Sequence, residues 1–79
     1  MMRLRRGARV VELGCGTGSN FSLLEQRVGA EGRLIGVDNS PEMLALARRR
    51  VEDSGWSNVE LIESDIVAYE FPAGIDGVL

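Results

Sequence analysis

Residues 8–20 read Ala-Arg-Val-Val-Glu-Leu-Gly-Cys-Gly-Thr-Gly-Ser-Asn, ARVVELGCGTGSN, and residues 12–18 within them, ELGCGTG, set a glycine at every second position. Each glycine loses more backbone freedom on folding than any other residue. Three so close together, directly behind an apolar run, imply that something approaches the backbone closely. The run itself, 8–13, is rich in β-branched residues and ends at Gly14, which predicts a buried strand of a parallel sheet. After the glycines, Ser19 or Asn20 can cap a helix whose apolar residues Phe21, Leu24 and Val28 recur at helical spacing, with Leu23 widening the stripe and Gly29 as the stop.

The same rhythm continues along the chain. A turn at Glu31-Gly32 precedes a short strand at 33–37, with Asp38 where it ends. In SPEMLALARRRVEDSG, residues 40–55, Ser40 suits a helix cap, Pro41 the first helical position and Glu42 the positive helix end, and Gly55 lies past the other end. Met43, Leu44, Ala47 and Val51 form the expected inward face of this helix. Arg48, Arg49 and Arg50 fall on its solvated side, towards the negative end of the dipole. A third strand is expected at 58–65, ending in Asp65, and the beginning of a fourth at 74–79. Trp56 is expected to pack where helix and strand meet. Strands alternating with helices in this way predict an α/β fold, a Rossmann-like parallel sheet with flanking helices, of which only the first three to four strands are present.

Composition narrows the chemistry. The chain has 79 residues, 44% of them apolar and 27% charged, which is the balance of a globular domain, and at most one domain fits. Chains this short bury only about 60–65% of the surface that they expose when unfolded. The formal charge of −3 speaks against a general nucleic-acid binder. All nine cationic side chains are arginines, so neither a lysine Schiff base nor a phosphate-loop lysine is available. With no histidine and one cysteine, no metal site is expected. The lone Cys15 cannot form an internal disulfide, which fits a reducing compartment, and no stretch has the length of a signal-peptide core or a membrane span. A cytoplasmic location is therefore expected.

In an open parallel sheet, ligands bind where the carboxyl ends of the strands open into a crevice. The glycine loop, Asp38 and Asp65 all fall at such ends. Gly14 permits the tight turn, Gly16 exposes bare backbone to a ligand, and Gly18 lets the next helix pack closely; amides at 18–21 would face the crevice. Asp38 follows Gly18 by 20 positions, about the separation at which a carboxylate accepts both hydroxyls of a ribose. The dinucleotide fingerprint Gly-x-Gly-x-x-Gly is broken, because the third glycine comes one place early. Glu12, just ahead of Gly14, would repel a pyrophosphate and attract an ammonium group. A ligand with a ribose and a cationic amino-acid end fits best.

VVELGCGTG, GVDNSPEMLALAR and NVELIESDI, in this order and spacing, resemble the first three motifs of the class I S-adenosylmethionine-dependent methyltransferases, and the resemblance runs from about Arg9 to Leu79. It implies S-adenosyl-L-methionine as cofactor. Glu12 would orient the methionine ammonium, the backbone of Gly14, Cys15 and Gly16 would pass under methionine and ribose, Gly18 would close the loop, and Asp38 would hold the ribose hydroxyls. Asn39 and Met43 would flank the adenine, while Asp65 and the Ile66 amide would read its edge. Asp65 could instead be a plain turn former, Met43 a core residue, and Cys15 a small residue tolerated in a tight loop.

Residues 1–79 are thus expected to be the cofactor-binding half of a methyltransferase domain, cut after the start of the fourth strand, and the isolated chain to be poorly folded and inactive. SPEMLALARRRVEDSGW is most similar to bacterial small-molecule methyltransferases, so a small-molecule substrate is expected, with no nucleic-acid partner. The incomplete sheet could also take up a second chain. No catalytic base can be named from the sequence. Two other readings stay open: a non-catalytic module that binds the cofactor or docks on a partner, and a nicotinamide oxidoreductase fragment, which Glu12 and the early third glycine disfavour.

Overall fold

The computed structural model describes residues 4–79. Its elements follow one another as β1 (Arg9–Leu13), α1 (Phe21–Val28), β2 (Arg33–Asp38), α2 (Pro41–Ser54), β3 (Val59–Glu63) and β4 (Gly77–Val78). The strands form one parallel sheet in the order β3-β2-β1-β4. The chain steps from β1 outward through β2 to β3 and then returns to the other side of β1, so the direction of winding reverses between β1 and β4. Such a reversal leaves a crevice at the carboxyl ends of the strands.

Burial on both faces explains the apolar runs of the inner strands. Val10 and Leu34 join Phe21, Leu24 and Val28 of α1 and Leu44 and Ala47 of α2 in one core. Val11, Ile35 and Val37 point the other way into a second, smaller cluster with Leu13, Ile62, Tyr69 and Ile75. Gly36 sits between these residues on β2, opposite Glu12. A Cβ at Gly36 would lie 2.7 Å from Phe21 Cζ, 2.9 Å from Cys15 Sγ and 3.2 Å from Leu61 Cδ2, so the missing side chain is the space that helix, loop and neighbouring strand share.

Helix α2 has the ends the sequence predicts. The Ser40 hydroxyl accepts from the Met43 amide at 3.3 Å, Pro41 opens the helix, and Gly55 closes it in the left-handed region at φ 74°. A cap of this kind contributes about 1 kcal/mol. Leu44 and Ala47 are buried and Val51 is half-buried, but Met43 is 43% exposed and does not belong to the inward face. It lies one position ahead of Leu44, about 100° round the helix from it, and so off the face that Leu44 and Ala47 turn to the core. The three arginines are exposed as expected, although the last turn holds Glu52 and Asp53 and no cation. Trp56 packs, half-buried, against the helix-side core.

Helix α1 differs from expectation in its stripe, since Leu23 is exposed while Phe21, Leu24 and Val28 are buried, and also at its start. Asn20 occupies the cap position but its side chain makes no capping hydrogen bond. It donates instead from Nδ2 to Glu12 Oε2 at 2.6 Å. A capping asparagine would instead accept through Oδ1 from a backbone amide; here the side chain is turned so that its Nδ2 serves the buried carboxylate, a charge-assisted hydrogen bond. Strand β3 also ends earlier than its sequence pattern, at Glu63, and β4 has two residues. The register of β4 is fixed by Asp76, whose carboxylate accepts from the Arg9 amide at 2.8 Å while its own amide donates to the Arg9 carbonyl at 2.8 Å.

Candidate functional site

The glycine loop leaves β1 and doubles back over the end of β2. The amides of Gly14 and Cys15 both donate to the Val37 carbonyl, at 2.7 and 3.0 Å, and the Gly16 amide donates to Asp38 Oδ2 at 2.9 Å. Asp38 Oδ1 accepts from the Ser40 amide at 2.9 Å. One carboxylate thus ties the loop to the start of α2. Each oxygen keeps lone-pair capacity beyond the single amide that it accepts, so two hydroxyls can still be received.

The glycines are needed for distinct physical reasons. Gly16 has φ 58° and nothing within 4 Å of where a Cβ would stand, so its backbone is bare towards open space. Gly18, at φ 78°, would place a Cβ 2.6 Å from the Phe21 ring, which confirms close packing of α1 as its role. Of the amides at 18–21, two are already used: Gly18 donates to the Cys15 carbonyl and Phe21 to the Gly18 carbonyl, each at 3.0 Å. They are closed within the turn and do not serve a ligand.

Glu12 is the most informative side chain of the site. It is 7% exposed, and its Oε1 is buried with no hydrogen-bond partner among the described residues. Burial raises its pKa above the ordinary carboxylate value, and the Asn20 hydrogen bond pulls the other way. An unpartnered buried carboxylate oxygen is costly, because its solvation is lost without compensation. A cationic N–H group brought to Oε1 would offset that cost. Cys15, also buried, is pushed up to about 11 by burial first and then by the charges of Glu12 and Asp38, so the thiol stays protonated at neutral pH and serves as a small packing residue.

The third strand end meets the other two more loosely. The Ser64 amide donates to the Asp38 carbonyl at 3.0 Å, and Ile66 Cδ1 would be 3.3 Å from a Cβ on Gly14, so residues 64–66 lie against the loop. Asp65 itself is exposed, and its Oδ1 accepts from the Val67 amide at 2.9 Å. That is the local turn by which an aspartate ends a strand. Asn39 and Met43 are exposed beside Asp38 at the start of α2. The structure therefore ties residues 14–16 to Val37 and Asp38 by hydrogen bonds and lays Ile66 against Gly14, while Glu12 is held by Asn20 and the Asp65 carboxylate is engaged in its own turn.

Two contributors escaped the sequence reading. Asn20 holds Glu12, and Gly36 makes room for the loop and α1. The sequence offers Asn20 only as a cap, and a glycine inside a strand is itself a signal of close approach. Among the described residues, no group of three or more histidine, cysteine, aspartate or glutamate side chains could hold a metal ion, and no helix is long and apolar enough to cross a membrane.

A family model described as a methyltransferase domain matches residues 10–79. The chain is 33% identical over 72 residues to a demethylmenaquinone methyltransferase of Listeria welshimeri, covering 91% of this chain and 30% of that protein. It is 44% identical over 68 residues to a carboxy-S-adenosyl-L-methionine synthase of Wolinella succinogenes, covering 85% of this chain and 28% of that one. The solved structure of PKMT2 from Rickettsia typhi in complex with AdoHcy superposes with a TM-score of 0.78 at 27% identity, over 91% of this chain and 14% of that one. The chain spans under a third of the length of each of these relatives. These matches favour neither the non-catalytic module nor the nicotinamide oxidoreductase. With a family match over nearly the whole chain, relatives at 33% and 44% identity and a parallel sheet wound around the glycine loop, this protein belongs to the class I S-adenosylmethionine-dependent methyltransferases.

Proposed function

We propose that these 79 residues form the cofactor-binding part of an S-adenosyl-L-methionine-dependent methyltransferase that acts on a small molecule. The observation that carries this reading is Glu12: a buried carboxylate oxygen without a partner, beside a backbone left bare at Gly16. Glu12 Oε1 would accept from the ammonium of the methionine moiety, with Asn20 orienting the carboxylate through Oε2. Asp38 would receive the ribose hydroxyls while its two backbone hydrogen bonds hold it in place. Asn39, Met43, Asp65 and Ile66 would border the adenine. When bound, the cofactor supplies an electrophilic methyl group, and the surrounding protein aligns the acceptor with it. The small-molecule acceptor is supported by the relative named as a demethylmenaquinone methyltransferase.

Titration calorimetry tests this. The chain is expected to bind S-adenosylmethionine and S-adenosylhomocysteine and not NAD, and Glu12→Gln to lower the affinity about ten- to a hundredfold, since a hydrogen bond to a charged group contributes about 1.5–3 kcal/mol. Only the ionised carboxylate attracts the ammonium. Because the folded pKa of Glu12 is raised, affinity should be full above that pKa and be lost as pH falls through it, in a window that opens above 4.5. The Glu12→Gln protein should lack that pH dependence. Equal or tighter binding of NAD would refute the reading.

A further inference from the structure

The glycine loop is held at two places by different parts of the chain. Its first half, residues 14–16, is tied to the end of β2 through the Val37 carbonyl and the Asp38 carboxylate. Its second half is reached from outside. The Arg50 guanidinium, on the outer face of α2, donates from Nε to the Thr17 carbonyl at 3.0 Å, across 33 positions of sequence. Among the described residues this hydrogen bond is what joins Thr17 to another element. Arg50 and Thr17 also border a surface recess of about 530 Å³ with Leu46, Arg49, Asp53 and Ser54; neither Glu12, Gly16 nor Asp38 lines it.

We infer that Arg50 is a positioning residue: it grips the outer side of the glycine loop and keeps the inner side shaped to receive the cofactor. The inference rests on the cofactor reading given above. The physical ground is conformational freedom. Gly14, Gly16 and Gly18 stand at φ 70°, 58° and 78°, so the loop is built from residues that reach many other conformations at little cost. Apparent affinity falls with the fraction of molecules in the receiving conformation. Helix α2 starts at the Asp38–Ser40 turn, and its first turn is fixed by the Ser40 cap. The same helix then returns to the loop through Arg50, so the loop is clamped between two points of one rigid element. The other two arginines of the run have no such hydrogen bond among the described residues, and a solvated helix face accounts for them.

The test uses the 79-residue chain with three substitutions, Arg50→Met, Arg50→Lys and Arg49→Met. Methionine keeps helix propensity and an unbranched stem, so α2 should persist. Amide exchange by NMR on the ligand-free chain reads the tie directly. Arg50→Met should speed exchange at the Gly18 amide about three- to tenfold and leave the amides of α2 and β1 unchanged. Affinity for S-adenosylhomocysteine should fall by a similar factor, recover in part with Arg50→Lys, and stay as in the parent with Arg49→Met. Unchanged Gly18 exchange in Arg50→Met would overturn the tie. Faster exchange with unchanged affinity would overturn the positioning role. Equal losses in Arg49→Met and Arg50→Met would overturn it too, since they would point to the charge of the recess. If the parent chain binds no S-adenosylhomocysteine, the cofactor reading and the positioning role fall together, while exchange at Gly18 still shows whether the tie exists.

Discussion

The two sides of the crevice are built to different standards. On the β1–β2 side, Glu12 is buried, Asp38 accepts two backbone amides, and the loop is tied to Val37 and to Arg50. On the β3 side, Asp65 and Ile66 are exposed, Val67 is 94% exposed, and the Asp65 carboxylate is hydrogen-bonded within its own turn. Buried, mutually bonded groups open rarely, whereas exposed turns with few apolar contacts open readily. The side proposed to receive the methionine and ribose would therefore be set before any ligand arrives, and the side proposed for the adenine would be left to adjust.

Three substitutions probe that contrast. The largest effect should come from Gly18→Ala, which forces a Cβ against the Phe21 ring at 2.6 Å in a backbone conformation that alanine rarely adopts. A loss of about 2–4 kcal/mol is expected, read as a fall in melting midpoint of ten degrees or more. Next comes Asp38→Ala, which leaves the Gly16 and Ser40 amides without their acceptor. It should lower stability by about 1–3 kcal/mol in a denaturant titration and abolish measurable cofactor binding. Asp65→Ala removes one hydrogen bond at an exposed turn and should change stability by about 0.5 kcal/mol, with a few-fold loss of affinity. If Asp65→Ala proved as damaging to stability as Asp38→Ala, the two sides would be equally built and the contrast would disappear.

Most of the layout could be read from residue order. The alternation of apolar runs with helical stripes predicted every strand and helix. Asp38 and the glycines were legible because their roles are local, fixed by spacing along a few residues. What escaped depends on partners distant in sequence. Asn20 looks like a helix cap until Glu12 is seen beside it, and Gly36 looks like a weak spot in a strand until Phe21 and Cys15 are found against it. Met43 sits where helical periodicity could put the inward stripe, but the buried stripe of α2 runs through Leu44 and Ala47 and leaves Met43 exposed. Arg50 was indistinguishable from its neighbours, since reach to Thr17 depends on how α2 lies against the loop.

Gly36 carries a consequence for how such chains can change over generations. Three elements that never meet in sequence, the start of α1, the glycine loop and β3, all border the volume its absent side chain leaves. An alanine there would need both Phe21 and Cys15 to give way, and so substitutions at these positions should be inherited as a group and not one at a time.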